Sequence, residues 1–356
     1  MPSYQRSSPR VARVQSAPEA KADPKQALAK VVPKSGVWRI PSPARFVLVV
    51  LGSLVLSSTL FTFTYGFTQG DLGLVSKHLE EWWEVGGLIA WRGVEVALAW
   101  LVGFDSWDVA SFLFLTHLPT NSLLSAFYHV RPTSVFLSYA ITILSTVIPF
   151  ALLRRPASVH DLSHAPSGTV ANRAILQDRP TTVYTTLVAT AIYSVCLYAS
   201  YASWLPARLV VHFEGLPDIS VAHAGPAGLP VLFMTLIPAG IAARDFLFVS
   251  STGHSVTRLE KAKAAAAAAA AAVDEEEYLI TSLYRKTVGQ LSAKTRILTS
   301  RTLLLAIGVF LNTVTQVAGT VRGVSIEGAA TWGAVWTVST LAVGATFGWI
   351  EAVDGV

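Results

Sequence analysis

Arg92 and Glu95 stand three positions apart in the apolar stretch AWRGVEVAL. On a helix that spacing puts both on one face. In hydrocarbon an unpaired charge costs several kcal/mol or deforms the bilayer, so the two should face protein, water or each other. Two kinds of chemistry follow. Arg92 is an anion-attracting or gating residue with Glu95 as its counterion, or the pair is an internal salt bridge or marks a helix lying partly in the interface. Arg244 and Asp245 are adjacent near the end of another apolar block, where headgroup contact is the plain reading.

Uncharged polar residues fall on helical faces in three further blocks. Thr186, Thr190, Ser194 and Tyr198 share one face; Gly308, Asn312, Gln316 and Gly319 share a second; Gly333, Thr337, Thr340, Gly344 and Gly348 share a third. Together with Arg92 and Glu95, the set Thr186, Thr190, Ser194, Asn312 and Gln316 reads either as an intramembrane polar pathway or as a helix-packing site. Small residues let backbones approach, and polar bonds between membrane helices contribute about 0.6 to 2 kcal/mol, enough for packing without transport. Hydroxyls also bond carbonyls of their own helix. Pro238 and Gly240, in LIPAGIAA, predict a kink in the block that holds them.

The remaining residue types name no reaction. His160 and His164, in HDLSH, have i, i+4 spacing beside Asp161 but lack the glutamate of HExxH, and Pro166 and Gly168 follow closely. HLPTN at 117–121 and YHVRPT at 128–133 are the places where a lipid-modifying enzyme would keep a polar cluster. Cys196 is the single cysteine, which excludes an intrachain disulfide and a multi-thiolate metal cluster. No GxSxG, phosphate-binding loop or dinucleotide fingerprint occurs. No catalytic residue, cofactor or metal is assigned.

The elements that must position these residues are membrane helices. Of 356 residues, 52% are hydrophobic and only 14% charged, against about a quarter charged in ordinary soluble domains. The basic excess of +5 lies outside the apolar blocks and shows no aromatic interleaving, so membrane lipids rather than nucleic acid are the expected partners. A spanning helix needs about 20 apolar residues. Segments 46–67, 133–153, 181–202, 229–249, 302–321 and 329–350 qualify, and 85–104 and 107–128 are weaker because they carry Arg92, Glu95, Asp108, His117 and Pro119.

Charge sets the parity of the crossings. Residues 1–45 hold nine Lys or Arg against Glu19 and Asp23, and the loop 154–180 holds Arg154, Arg155, Arg173 and Arg179. Positive loops collect on the cytoplasmic side, so an even number of crossings separates these two. The weak blocks therefore both cross or both do not. The fold class is all-α: a polytopic helical membrane protein with six to eight spans, a disordered basic N-terminal arm and one long cytosolic helical segment.

That segment contains nine consecutive alanines at 264–272, then Asp274 and three glutamates. Alanine is the best helix former, so the run reads as a helical spacer. Beyond it, Val273, Ile280, Tyr284, Val288, Leu291 and Leu298 recur at helical spacing and form one apolar stripe. The stripe reads as a docking or self-association surface, such as a short coiled coil, through 274–298, or as a face lying on the membrane or the protein's own loops. The chain divides accordingly into an arm (1–45), a first membrane part (46–250), a cytosolic insertion (251–301), a transmembrane hairpin (302–350) and a tail (351–356).

The expected function is a scaffold or membrane-organisation protein acting through partner association, with a small-solute channel or transporter and a lipid-modifying enzyme as alternatives. The expected location is the endoplasmic reticulum membrane. The mitochondrial inner membrane is the alternative, because the arm is basic and acid-poor.

Overall fold

A computed structural model describes residues 40–166, 168–254 and 292–353. The chain divides into Met1–Pro41 and Ser42–Val356, and nearly all of the first unit lies outside the described residues, as does 255–291. The expected disordered arm, the alanine spacer and the stripe up to Leu291 therefore fall outside the description.

Within Ser42–Val356 the described elements are helical. They are α1 (Ser42–Val75), α2 (Trp82–Val102), α3 (Ser106–Phe127), α4 (Pro132–Leu153), α5 (Arg173–Gln177), α6 (Arg179–Ala202), α7 (Leu205–His212), α8 (Gly228–Ala243), α9 (Ala293–Thr320) and α10 (Ile326–Val353). Seven stretches are long and apolar enough to cross a membrane, which makes the protein an all-α polytopic membrane protein. Among them are both the weak block at Trp82–Val102 and a 28-residue path, Gly225–Thr252, that contains α8.

The other weak block, α3, is a 22-residue helix of spanning length. Its polarity is explained by its surroundings: half of its residues are buried, and it packs against α4, α8 and α9. Protein rather than lipid is its solvent. Local signals fix its antiparallel return from α2. Gly103 ends α2 with φ 97°, a left-handed cap suited to glycine, and two residues later the Asp105 carboxylate accepts the Asp108 amide at 2.8 Å to start α3.

Along α1, Thr59, Thr62, Thr64 and Thr68 each donate to the carbonyl four residues back, so these four hydroxyls are satisfied within their own helix.

Helix α8 runs through Pro238, and a π-helical stretch follows it at Arg244–Val249. Gly240 lies directly against α6, where an added Cβ would sit on the Thr190 hydroxyl and 2.7 Å from the Thr186 carbonyl. The wider turn that follows buries three consecutive side chains, Phe246, Leu247 and Phe248.

Contacts sort the loops into two ends. At the basic end, Arg154 donates to the Trp100 carbonyl, Asn172 to the Thr252 carbonyl and Ser251 to Glu351. At the opposite end the turn 321–325 is stitched on both flanks. Arg322 N–H donates to the Val75 carbonyl and Lys77 N–H to the Thr320 carbonyl, while Glu214 N–H donates to the Gly323 carbonyl and Ser325 N–H to the His212 carbonyl.

Candidate functional site

Two polar constellations stand out, one at mid-depth and one at the basic end. At mid-depth, Arg92 on α2 pairs with Glu95 through Nη1 to Oε2 at 3.0 Å. Its other terminal nitrogen donates to the Thr142 carbonyl and the Thr146 hydroxyl on α4. Thr146 in turn meets Ser53 of α1 at 3.1 Å, and His117 Nε2 of α3 lies 3.2 Å from Glu95 Oε1. Four helices thus share one neutralised charge pair. The spacing of Arg92 and Glu95 announced the pair; the partners on α1, α3 and α4 come from the fold.

Arg92 and His117 also line a cavity of about 470 Å³, together with Thr120, Asn121, Ser138 and Gln316. It extends from mid-depth to Ser76 and Val321, where α1 and α9 end. His129 does not join it. That residue has φ 53° and its ring lies 3.6 Å from Asp218.

The polar faces separate into distinct roles. Asn312 is 1% exposed; its Oδ1 accepts from Trp91 Nε1 at 2.9 Å and its Nδ2 donates to the Thr116 carbonyl at 2.9 Å. It ties α9 to α2 and α3, whereas Gln316, four residues on, reaches the cavity. Thr186, Thr190 and Ser194 donate to the carbonyls of Thr182, Thr186 and Thr190, and the Thr186–Thr190 surface receives Gly240. The last helix pair meets in the same manner. A Cβ on Gly344 would strike Thr302, and the Tyr193 hydroxyl bonds Thr340 at 3.1 Å. Leu298 is 2% exposed and faces Gly348 across the α9–α10 contact.

The basic end holds a constellation that local spacing does not reveal. Arg301 of α9 grips Asp108 of α3 with both terminal nitrogens, at 2.7 and 2.9 Å, and donates to the Phe246 carbonyl. Ser250 donates to the same Asp108 at 3.1 Å. Next to it, the buried Asp105 accepts from the Ala157 amide at 2.8 Å and meets His160 Nδ1 at 2.7 Å. The true partner of His160 is thus 55 positions away, while the exposed His164 pairs with Asp161.

Burial alone would push the Asp105 carboxyl up, but the His160 bond and charge outweigh it and hold it below the usual carboxylate value. Burial would likewise depress His160, yet the Asp105 bond and charge, with Asp108 behind, raise it against the opposing Arg301. Asp105, Asp108 and His160 bring ligand-type atoms within 4.8 Å of one another. The positive charge that two carboxylates call for is supplied here by the Arg301 guanidinium, in bidentate geometry. A sequence signal existed: Asp108 and Arg301 each lie at the border of an apolar block, where a charge needs a partner.

Residues 178–315 match the family model described as the Bouquet formation protein 3 C-terminal domain. The match runs from the start of α6 into α9, through the segment 255–291, and covers less than half of the 356 residues. No curated protein and no solved structure matches the chain.

Proposed function

We propose that this protein is a membrane scaffold that serves bouquet formation by presenting the segment 255–291 to a protein partner. One observation carries the reading: both roots of that segment are bolted to the same end of the helix bundle. On the leading side, Ser250 bonds Asp108, Ser251 bonds Glu351 and the Thr252 carbonyl receives Asn172. On the trailing side, Ser292 caps α9 by accepting the Thr295 amide at 3.2 Å, and Arg301 closes on Asp108 and the Phe246 carbonyl. A segment held at both ends by a rigid base suits a docking element better than a slack connector does. The family match, which runs across this segment, and its printed name supply the biological setting.

The docking surface is the stripe Val273, Ile280, Tyr284, Val288 and Leu291, with Leu298 serving the bundle instead. The proposed location is the endoplasmic reticulum membrane, with the roots and the loop 154–180 on the cytosolic side. Deleting 274–291 from the full chain should abolish co-purification of the partners recovered with the intact protein, while insertion and thermal melting stay unchanged. Partners retained by the deleted chain would refute the proposal. Imaging of a tagged chain tests the location, and a mitochondrial signal would replace it.

A second reading, a small-solute channel or transporter, draws on the cavity beside Arg92 and Gln316. Flux through liposomes carrying the purified chain tests it.

A further inference from the structure

The mid-depth cavity is bounded by five helices, α1, α2, α3, α4 and α9, and among the described residues no carboxylate lines it. Its one fixed cation, Arg92, is already neutralised by Glu95. Besides the Ser57, Ser58 and Ser138 hydroxyls, two polar groups on its wall at the α3 and α9 side have no partner among the described residues. The Thr120 hydroxyl, in a residue only 8% exposed, bonds nothing. The Gln316 carboxamide has no hydrogen bond either; only its backbone carbonyl is engaged, by Thr320. Leu54, Phe61, Leu72, Leu88 and Leu124 supply an apolar lining around these groups.

The cavity also opens sideways. Ser58 of α1 and Ile89 of α2 both line it and are exposed, Ile89 at 53%. Both belong to stretches long and apolar enough to cross a membrane, so the opening lies on a face suited to hydrocarbon. A ligand entering there comes from the lipid phase.

We infer that this cavity binds a membrane lipid whose polar end is an uncharged hydroxyl group, admitted between α1 and α2. A charged headgroup would carry an uncompensated charge to a depth where the available cation is spent, and that burial is costly. A hydroxyl both donates and accepts, so one such group can satisfy the Thr120 hydroxyl and the Gln316 carboxamide together. The volume of about 470 Å³ lies in the range of roughly 300 to 1,000 Å³ typical of small-molecule sites. This site stands whether or not the segment 255–291 docks a partner.

The test uses the full chain in detergent and in vesicles, with a photoreactive sterol and a photoreactive diacylglycerol as hydroxyl probes and photoreactive phosphatidic acid as the charged comparison. At least one hydroxyl probe should label peptides covering 54–61 or 88–92 and be displaced by the same unlabelled lipid; the two arms distinguish sterol from glyceride. The pair Thr120→Val with Gln316→Leu should lower labelling about fivefold, the effect of losing one or two ordinary hydrogen bonds. Thr120→Val alone removes a group bonded to nothing, so it keeps the fold and should still lower labelling. Ile89→Trp, which narrows the opening at an exposed position, should lower it too. Phosphatidic acid labelling as strongly as the hydroxyl probes, or labelling unchanged in all three variants, overturns the proposal. So does solute flux through vesicles that Gln316→Leu alters, because water would then occupy the cavity.

Discussion

Arg301 and Asp108, 193 positions apart, meet in a two-pronged ion pair of 2.7 and 2.9 Å. Asp108 is buried and Arg301 largely so. The guanidinium also lies over two rings, Phe104 at 5.1 Å and Phe246 at 4.9 Å. Removing one partner leaves the other charge desolvated without compensation. Arg301→Leu should therefore destabilise the detergent-solubilised protein by about 3–5 kcal/mol. Arg301→Lys keeps the charge but loses the fork and the ring stacking, and should fall between Leu and wild type. Thermal melting of both variants checks the order, and a lysine variant as unstable as leucine would contradict it.

The neighbouring pair predicts a pH dependence of defined sign. His160 is held above its ordinary value of 6.5, so its contribution to stability is complete below that value and is lost as pH rises through the folded-state pKa. Asp105 is held below its ordinary 3.8, so its contribution is complete above that value and is lost as pH falls through the folded-state pKa. The joint contribution is therefore full between 3.8 and 6.5 and declines on the alkaline side as His160 loses its proton and on the acid side as Asp105 gains one. Melting temperature measured across neutral and alkaline pH should show that decline in the wild type. His160→Gln should be less stable in mildly acidic buffer and should flatten the alkaline limb, which a shift arising elsewhere would not do.

Close helix contacts give a matched pair of glycine substitutions on α10. A Cβ on Gly344 would fall against Thr302, 2.9 Å from its Cβ, whereas one on Gly348 would meet Leu298 at an ordinary 3.6 Å. Gly344→Ala should cost about 1–3 kcal/mol as overpacking forces α9 and α10 apart. Gly348→Ala should be nearly neutral. Equal melting temperatures for the two would mean the helices do not meet at this register.

Asn312 separates the packing role from the pathway role. Asn312→Leu strips the partners from Trp91 Nε1 and the Thr116 carbonyl. The expected loss is about 0.6–1.7 kcal/mol, the scale of polar contacts between membrane helices. Liposome flux should not change, because the side chain is sealed from the cavity that Gln316 reaches.

How far the sequence revealed this arrangement varies with the range of the interaction. Helices α4, α6, α9 and α10 were legible because about 20 apolar residues in a row have few alternatives. The Arg92–Glu95 pair was legible because both members lie on one turn. Helix α3 was the hardest of the long elements, since apolarity reports contact with lipid and α3 is enclosed by other helices. The start of α9 at Ala293, nine residues ahead of the apolar block at 302, was hidden for a related reason: its first turns carry Arg296 and Arg301. The Asp105–His160 bond was out of reach, because helical spacing directed attention from His160 to His164, and only the fold brings position 105 to position 160. Gly240 was read together with Pro238 for a kink, while its close contact with Thr186 and Thr190 of α6 comes only from the fold.

The stitching of the turn 321–325 has a consequence for biosynthesis. This short stretch joins the backbone after α1 to the backbone after α7, and the ribosome makes it later than either. The face it seals stays open while the earlier helices wait in the bilayer, so assembly of that face is governed by arrival of the α9–α10 hairpin rather than by the order in which helices leave the translocon. A chain stalled before residue 321 would keep those two unpaired edges available to the quality-control machinery of the membrane.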